Sequence, residues 1–310
     1  MLDVRRMVVL REVAARGSFS AAAEALAFTQ SAVSQQVAAL ERETGARLVD
    51  RGARGVRLTE AGRALVTHAD AILARLNEAE EELAAIAGLR GGRLRIGTFP
   101  SVGATLVPAA VATFRRRHPD VELSMVEGEP EDTIPRLKAG DLDLALIFDY
   151  HEVPLAADTE LERTHLVDDV VDVVLPRGHR LAARRTVRLE ELADEHWICG
   201  CSPSSCAVMI HRSCNEAGFE AKVGFESDDY QVVQALVAAN VGVTLLPRLC
   251  LTTVHPEVEV RSLGRAAPVR RVWATRMADA YRSPASEAMV QILCDVSAEF
   301  GAGRALAAVS

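Results

Sequence analysis

Seven aliphatic residues, Leu65, Ala69, Ile72, Leu76, Ala79, Leu83 and Ile86, follow one another at spacings of 4, 3, 4, 3, 4 and 3. This is the a/d seam of a coiled coil held for about three heptads, and a continuous α-helix is what keeps such a seam on one side. Thr59 can cap the helix, Glu60 sits near its positive end, and "GLRGG" stops it after Ala87. About 29 residues make a rod of about 43 Å, which projects from a compact domain and asks for a partner. The spacing therefore predicts a homo-oligomer, dimer or tetramer, joined along those seven positions. The competing reading is an amphipathic helix lying on its own domain. In both readings the rod divides a chain of 310 residues into two parts of different pattern.

Ahead of the rod the pattern is helical. Met7, Leu10, Val13 and Ala14 have helical spacing within Leu2–Arg16, and Gly17-Ser18 stops that helix. Ser18 or Ser20 caps a second helix of about Ser20–Leu26, whose alanines let a neighbour approach closely. After a turn at Ala27-Phe28, Thr29 caps a third helix that ends at Gly45. Val33, Val37 and Leu40 form its buried stripe, which leaves Gln30, Ser31, Ser34 and Gln35 facing outward on the first turn and a half. Two helices joined by a tight turn make a helix-turn-helix, whose second helix offers its N-terminal residues to base edges in the major groove. Gln bonds adenine in bidentate fashion, and Ser serves as donor or acceptor. Backbone N–H groups at helix starts hold phosphates, which adds Ser20 and Thr29 to the candidate set.

"ARLVDRGARGVRLT" then reads as two strands, Ala46–Val49 and Val56–Leu58, forming a wing tipped by Arg51 and Arg54 that can reach a phosphate or a narrow minor groove. The competing reading is the solvated face of an ordinary three-helix bundle. Charge favours the nucleic-acid reading. Residues 1–65 hold ten arginines against seven acids, so of the net charge of −8 the head carries +3 and the remainder −11.

"GSFSAAAEAL", "TQSAVSQQVAALE", the Gly and Leu-x-x-Arg segment after them, and "LTEAG" resemble the DNA-binding region of the LysR-type transcriptional regulators. The resemblance implies base-reading positions at Gln30, Ser31, Ser34 and Gln35, with Arg51 and Arg54 in the wing. Val49 stands where the family usually has an aromatic residue, and a change of packing is expected there. From Gly92 strands and helices alternate: "RLRIGT" (93–98), "VELSMVE" (121–127), "LDLALIF" (142–148), "VVDVVL" (170–175), "HWIC" (196–199), "AKVGFE" (221–226) and "VRRVWAT" (269–275) are strand-like, and a helix over about 204–217 and another over 229–239 fall among them. The rhythm implies a parallel sheet. "RLRIGTFPSVG", "GDLDLALI", "VLPRGHRLA" and "VGVTLLP" resemble the effector-binding domain of the same family, built like periplasmic binding proteins.

The expected architecture is an α-helical winged helix-turn-helix domain (1–58), a linker helix (59–90) and an α/β effector-binding domain (91–310) of two subdomains, 91–163 with 266–310, and 164–265. Strand C-termini and helix N-termini should line the cleft between the subdomains. The candidates are Thr98, Phe99 and Ser101 after the first strand, Phe148 after the third, and Ser202, Ser204 and Ser205 opposite. The competing reading is that these serines only cap helices.

"CGCSPSSCAVMIHRSC" gathers Cys199, Cys201, Cys206 and Cys214. The spacing fits a zinc site poorly. Peroxide-sensing members of the resembled family oxidise a cysteine pair in the corresponding segment, which would assign Cys206 and Cys214 to a redox switch. On one helix these two lie about 12 Å apart, beyond the reach of a disulfide unless the helix unwinds. The third reading is small buried thiols without reactivity. No nucleophile elbow, H-E-x-x-H or G-x-G-x-x-G motif occurs, so neither catalysis, cofactor nor metal is expected. Arg11 and Glu12 interrupt the apolar N-terminal run, and no run of about 18 apolar residues spans a bilayer. The expectation is a cytoplasmic regulator with three partners: operator DNA, a small effector and RNA polymerase. The alternative of another class is a cytoplasmic solute-binding protein with an N-terminal oligomerisation module.

Overall fold

The computed structural model describes residues 2–52, 55–86, 92–151, 153–201, 204–279 and 281–301, with the side chains of residues 51, 52, 77, 78, 81, 82, 84–86 and 301 outside that description. Arg54 and Ser202, and the side chains of Arg51 and Ile86, thus lie outside the described residues. The chain forms two compact units, Met1–Gly92 with Ile134–Asp143, and Arg93–Thr133 with Leu144–Ser310.

The first unit begins with α1 (Val4–Arg16), α2 (Phe19–Ala25) and α3 (Gln30–Thr44). Each start is fixed by a side chain that accepts a backbone N–H. Asp3 accepts from Arg5 at 2.9 Å, Ser18 from Ala21 at 3.5 Å, and Thr29 from Ala32 at 3.2 Å. The choice between Ser18 and Ser20 is therefore settled for Ser18. Gly17 and Gly45 end α1 and α3 in the left-handed conformation. Leu10, Val13, Ala22, Val33, Val37 and Leu40 fill the core these helices share.

The wing consists of β1 (Val49–Gly52) and β2 (Gly55–Leu58), antiparallel, with Gly52 paired to Gly55. The first strand starts at Val49, later than Ala46. The Glu41 carboxylate accepts the backbone N–H of Leu48 at 2.8 Å and of Val49 at 3.4 Å, so residues before Val49 are tied to α3. Val49 packs in the core of this unit. The linker helix α4 (Glu60–Ile86) follows, about 40 Å long for its 27 residues. A Cβ on Gly62 would stand 2.0 Å from the Leu48 carbonyl oxygen, so its first turn lies directly on the residue that precedes β1. Leu65 and Ala69 join the core of this unit, whereas Ile72, Leu76, Ala79 and Leu83 are exposed. This corrects the seven-residue seam: its first two positions are spent on α4's own domain, because α1 packs against that stretch of the helix.

Along the chain, β3 (Gly92–Thr98), α5 (Pro100–Gly103), α6 (Leu106–Arg117), β4 (Val121–Glu127) and α7 (Pro130–Lys138), which counts with the first unit from Ile134 on, lead to β5 (Leu144–Tyr150) and the long strand β6 (Leu161–Pro176) of the second unit. Then come β7 (His196–Cys199), α8 (Ser205–Glu216), β8 (Lys222–Glu226), α9 (Tyr230–Ala238), β9 (Thr244–Pro247), β10 (Val258–Arg261), β11 (Val269–Met277) and α10 (Pro284–Gly301). The main sheet has the order β10-β6-β11-β5-β3-β4, with β9 also on β6. It is mixed, not parallel. β3 and β5 are parallel, but β11 runs antiparallel to both β5 and β6, and β9 and β10 run antiparallel to β6.

One strand crosses between the lobes. β6 pairs with β11 as far as Val170 and with β9 from Val171, where a break near 163/164 was expected. Its first half, "LERTHLVDD", carries charge on partly exposed positions and so lacks a strand's apolar signature. β10 likewise has one buried residue, Val258, and no apolar run. β5, buried at every position, is the centre of the core, and α6 packs Leu106, Val107, Ala110 and Phe114 inward while α10 packs beside α6. No described helix is long and apolar enough to cross a membrane.

Candidate functional site

The first candidate site is the outer face of α3. Gln30, Ser31 and Gln35 are exposed and Ser34 is half-buried, while Val33, Val37 and Leu40, interleaved with them, are 0% exposed. The Thr29 and Ser31 hydroxyls lie 3.0 Å apart at the helix start. Ser20 is exposed on α2. The α2–α3 turn closes with the Phe28 N–H donating to the Ala23 carbonyl at 2.8 Å, and it holds Ala27 at φ 53°, a left-handed conformation that costs a Cβ-bearing residue about 1 kcal/mol or more. The wing is tied to the α1–α2 turn by the Val56 N–H donating to the Gly17 carbonyl at 2.9 Å. A short polar face on a rigid aliphatic backing is what entry into a groove requires: side chains that reach donors and acceptors without bulk.

The second candidate site is a cavity in the α/β unit, with about 40 Å³ open to the centres of water molecules. Ser204 and Ser205, at the start of α8, line it. Thr98, Phe99, Ser101 and Phe148 do not: all are buried and none is part of its lining. Their partner explains the correction. The Arg270 guanidinium lies 5.1 Å from the ring centroids of both Phe99 and Phe148. Its Nε and Nη2 donate to Asp169 at 3.2 and 2.7 Å, and Nη2 also donates to Ser101 Oγ at 2.8 Å. These residues build a buried ion pair with an aromatic wrapping, not a ligand surface. Thr98 donates to the Phe99 carbonyl at 3.4 Å.

Glu129, Glu131, Tyr150, Asp228 and Tyr230, none of them singled out from sequence, line the cavity. Glu129 follows β4, Tyr150 ends β5 and Asp228 follows β8, so the rule of strand C-termini finds them once the strand ends are known. Burial, with Glu131 next in weight, pushes the Glu129 carboxyl up to about 7 against the pull of Arg270.

Cys206 and Cys214 occupy the same helix α8. Burial pushes the Cys214 thiol up to about 12 and the Cys206 thiol up as well, and the Cys206 sulfur bonds the Tyr150 hydroxyl at 3.2 Å. Thiolate is the oxidisable form, so this environment opposes a redox switch. Among the described residues no group of three or more His, Cys, Asp or Glu could hold a metal ion.

Residues 4–63 match the family described as bacterial regulatory helix-turn-helix protein, lysR family, and residues 87–298 match the LysR substrate binding domain. The chain belongs to the LysR family of transcriptional regulators. It is 30% identical over 304 residues to the probable HTH-type transcriptional regulator LrrA of Synechococcus elongatus, covering 96% of this chain and 98% of that protein. It is 31% identical over 276 residues to the RuBisCO operon transcriptional regulator of Allochromatium vinosum, covering 88% of each. Its fold is similar to full-length OxyR of Pseudomonas aeruginosa, with a TM-score of 0.69 at 22% identity over 96% of this chain and 95% of that one. It is similar also to CbnR, a LysR family transcriptional regulator, with a TM-score of 0.64 at 20% identity over 96% and 99%. This LysR regulator thus joins a helix-turn-helix to an effector-binding α/β domain, and nothing in the comparisons favours the redox or solute-binding alternatives.

Proposed function

We propose that this LysR regulator binds double-stranded operator DNA with Gln30, Ser31, Ser34 and Gln35 on base edges, and with Ser20, Thr29 and the wing residues Arg51 and Arg54 on the backbone. It acts as a homo-oligomer joined along Ile72, Leu76, Ala79 and Leu83, so that two recognition helices address two half-sites. A small effector in the cavity of the α/β unit changes how the operator is held, and the change is passed to RNA polymerase. The protein works in the cytoplasm by binding, without catalysis.

The supporting observation is the division of α3: Gln30, Ser31 and Gln35 are exposed and Ser34 half-buried, while Val33, Val37 and Leu40 behind them have no solvent exposure. The apolar stripe on the second half of α4 supports the oligomer, because Leu83 at 65% and Leu76 at 47% exposure are large aliphatic residues without cover. A gel shift with fragments from upstream of its own gene tests the reading. The expected result is a complex that weakens steeply with added salt; no shift at low salt would overturn it.

A further inference from the structure

The cavity of the α/β unit is lined by charge of one sign. Three carboxylates, Glu129, Glu131 and Asp228, line it, and among the described residues no Lys, Arg or His does. The partners of two of them are neutral: Ser205 Oγ donates to Glu131 at 3.1 Å, and the Cys201 N–H donates to Asp228 at 2.9 Å. Such a set repels itself unless a cation joins it.

The opposite sign is buried. Arg270 is 0% exposed, and its Nη1 has no hydrogen-bond partner. An unpaired guanidinium N–H at this depth is costly. Arg270 stands directly across from Asp169 on β6 and from Tyr150 on β5, so the three side chains share one face of the sheet. Asp169 takes the edge carrying Nε and Nη2, so Nη1 is the nitrogen left without a partner, and Tyr150, across from Arg270 on the other neighbouring strand, lines the cavity.

We propose that the cleft takes a small zwitterion, a free amino acid or a close analogue, with its carboxylate toward the Tyr150 hydroxyl and Arg270 Nη1 and its ammonium among Glu129, Glu131 and Asp228. The proposal rests on the reading of this cavity as the effector site and adds the ligand's class. It carries a pH signature. The groups acting on Glu129 are Glu131, Asp132, Asp228, Arg270, Cys206 and Tyr230, and without a bound cation its carboxyl titrates at about 7. An ammonium holds Glu129 ionised, so binding releases a proton below that pH. Affinity is full above about pH 8 and falls by up to about tenfold per unit as pH drops below 7.

The test is a thermal-shift screen of the full-length protein with three pools at about 10 mM: L-amino acids, the amines left by removing their carboxyl groups, and the 2-oxo acids left by removing their amino groups. The expected result is a melting shift from the amino acids alone. Titration of the responsible amino acid should show affinity lost about tenfold or more in Glu129→Gln and in Asp228→Asn, with the stated pH dependence. A shift from the 2-oxo acids equal to that from the amino acids, or no shift from the amino acids, overturns the zwitterion. The bulky Ser205→Phe separates the two levels. A 2-oxo acid shift abolished by Ser205→Phe keeps the cleft as effector site and removes the zwitterion. An amino-acid shift unchanged by Ser205→Phe places binding elsewhere and removes both.

Discussion

The recognition helix and the effector cleft are both expected to present polar side chains to a ligand, yet the helix keeps its nominated residues at or near the surface, whereas of the cleft's described candidates only Ser204 and Ser205 line the cavity. On α3, Gln30, Ser31 and Gln35 are exposed; in the α/β unit, Thr98, Phe99, Ser101 and Phe148 are sealed inside. The difference lies in what decides burial. A helix of period 3.6 sorts its own faces, so three aliphatic residues at i, i+4 and i+7 fix which side is out. A residue after a strand is placed by what crosses over that strand. Here Arg270 arrives from β11, far along the chain, and claims Phe99, Phe148 and Ser101.

Five substitutions test this contrast. The largest effect is expected at the buried layer around Arg270. Asp169→Ala strands the Arg270 charge and should cost about 3–5 kcal/mol in denaturant unfolding of the full chain; a cost under about 1 kcal/mol would mean that this layer is solvated and belongs to the cleft after all. Next comes the back of α3. Val37→Ala should cost about 2–3 kcal/mol, whereas its outward neighbour Gln35→Ala should stay within about 0.5 kcal/mol in the same melts, and equal costs would erase the division of that helix.

Third is Glu129 itself. Its folded carboxyl titrates at about 7, above the ordinary 4.5, so the proton it holds stabilises the fold fully below about pH 4.5 and this contribution is lost as pH rises through 7. Glu129→Gln should therefore gain about 1–2 kcal/mol at pH 8, after allowance for partial exposure, and nothing at pH 4.5. A gain independent of pH would show that the carboxyl is not perturbed. The smallest effect is at the helix-turn-helix corner, where Ala27→Gly should relieve the positive φ and raise stability by about 0.5–1 kcal/mol. Loss of stability there would mean that the turn is not strained.

Much of the first unit was legible because its determinants are local. Ser18 and Thr29 mark helix starts by side-chain capping, and Gly17 and Gly45 mark helix ends by a left-handed backbone; the cap at Asp3 was not read from the sequence. The heptad seam was legible in period but not in partner: spacing cannot tell that Leu65 and Ala69 face α1 while Leu76 and Leu83 face outward. In the second unit, β7 was read to the residue, since Trp197 and Ile198 are apolar. The first half of β6 is illegible in the sequence because its charged residues are held by the fold: Glu162 pairs with Arg276, far along the chain, at 2.9 Å. The acids of the cleft were missed for a related reason: Glu129 and Asp228 are ordinary loop acids until folding closes them around one space.

The central claim is that the outward face of α3 carries sequence discrimination. It is tested most directly by fluorescence anisotropy of operator and scrambled duplexes, across a salt series, with the wild-type protein and with a variant in which Gln30, Ser31, Ser34 and Gln35 are all alanine. The expected result is that the variant binds both duplexes alike, with the salt slope of the wild type on scrambled DNA and an unchanged melting temperature. A variant that still prefers the operator by the wild-type ratio would contradict it.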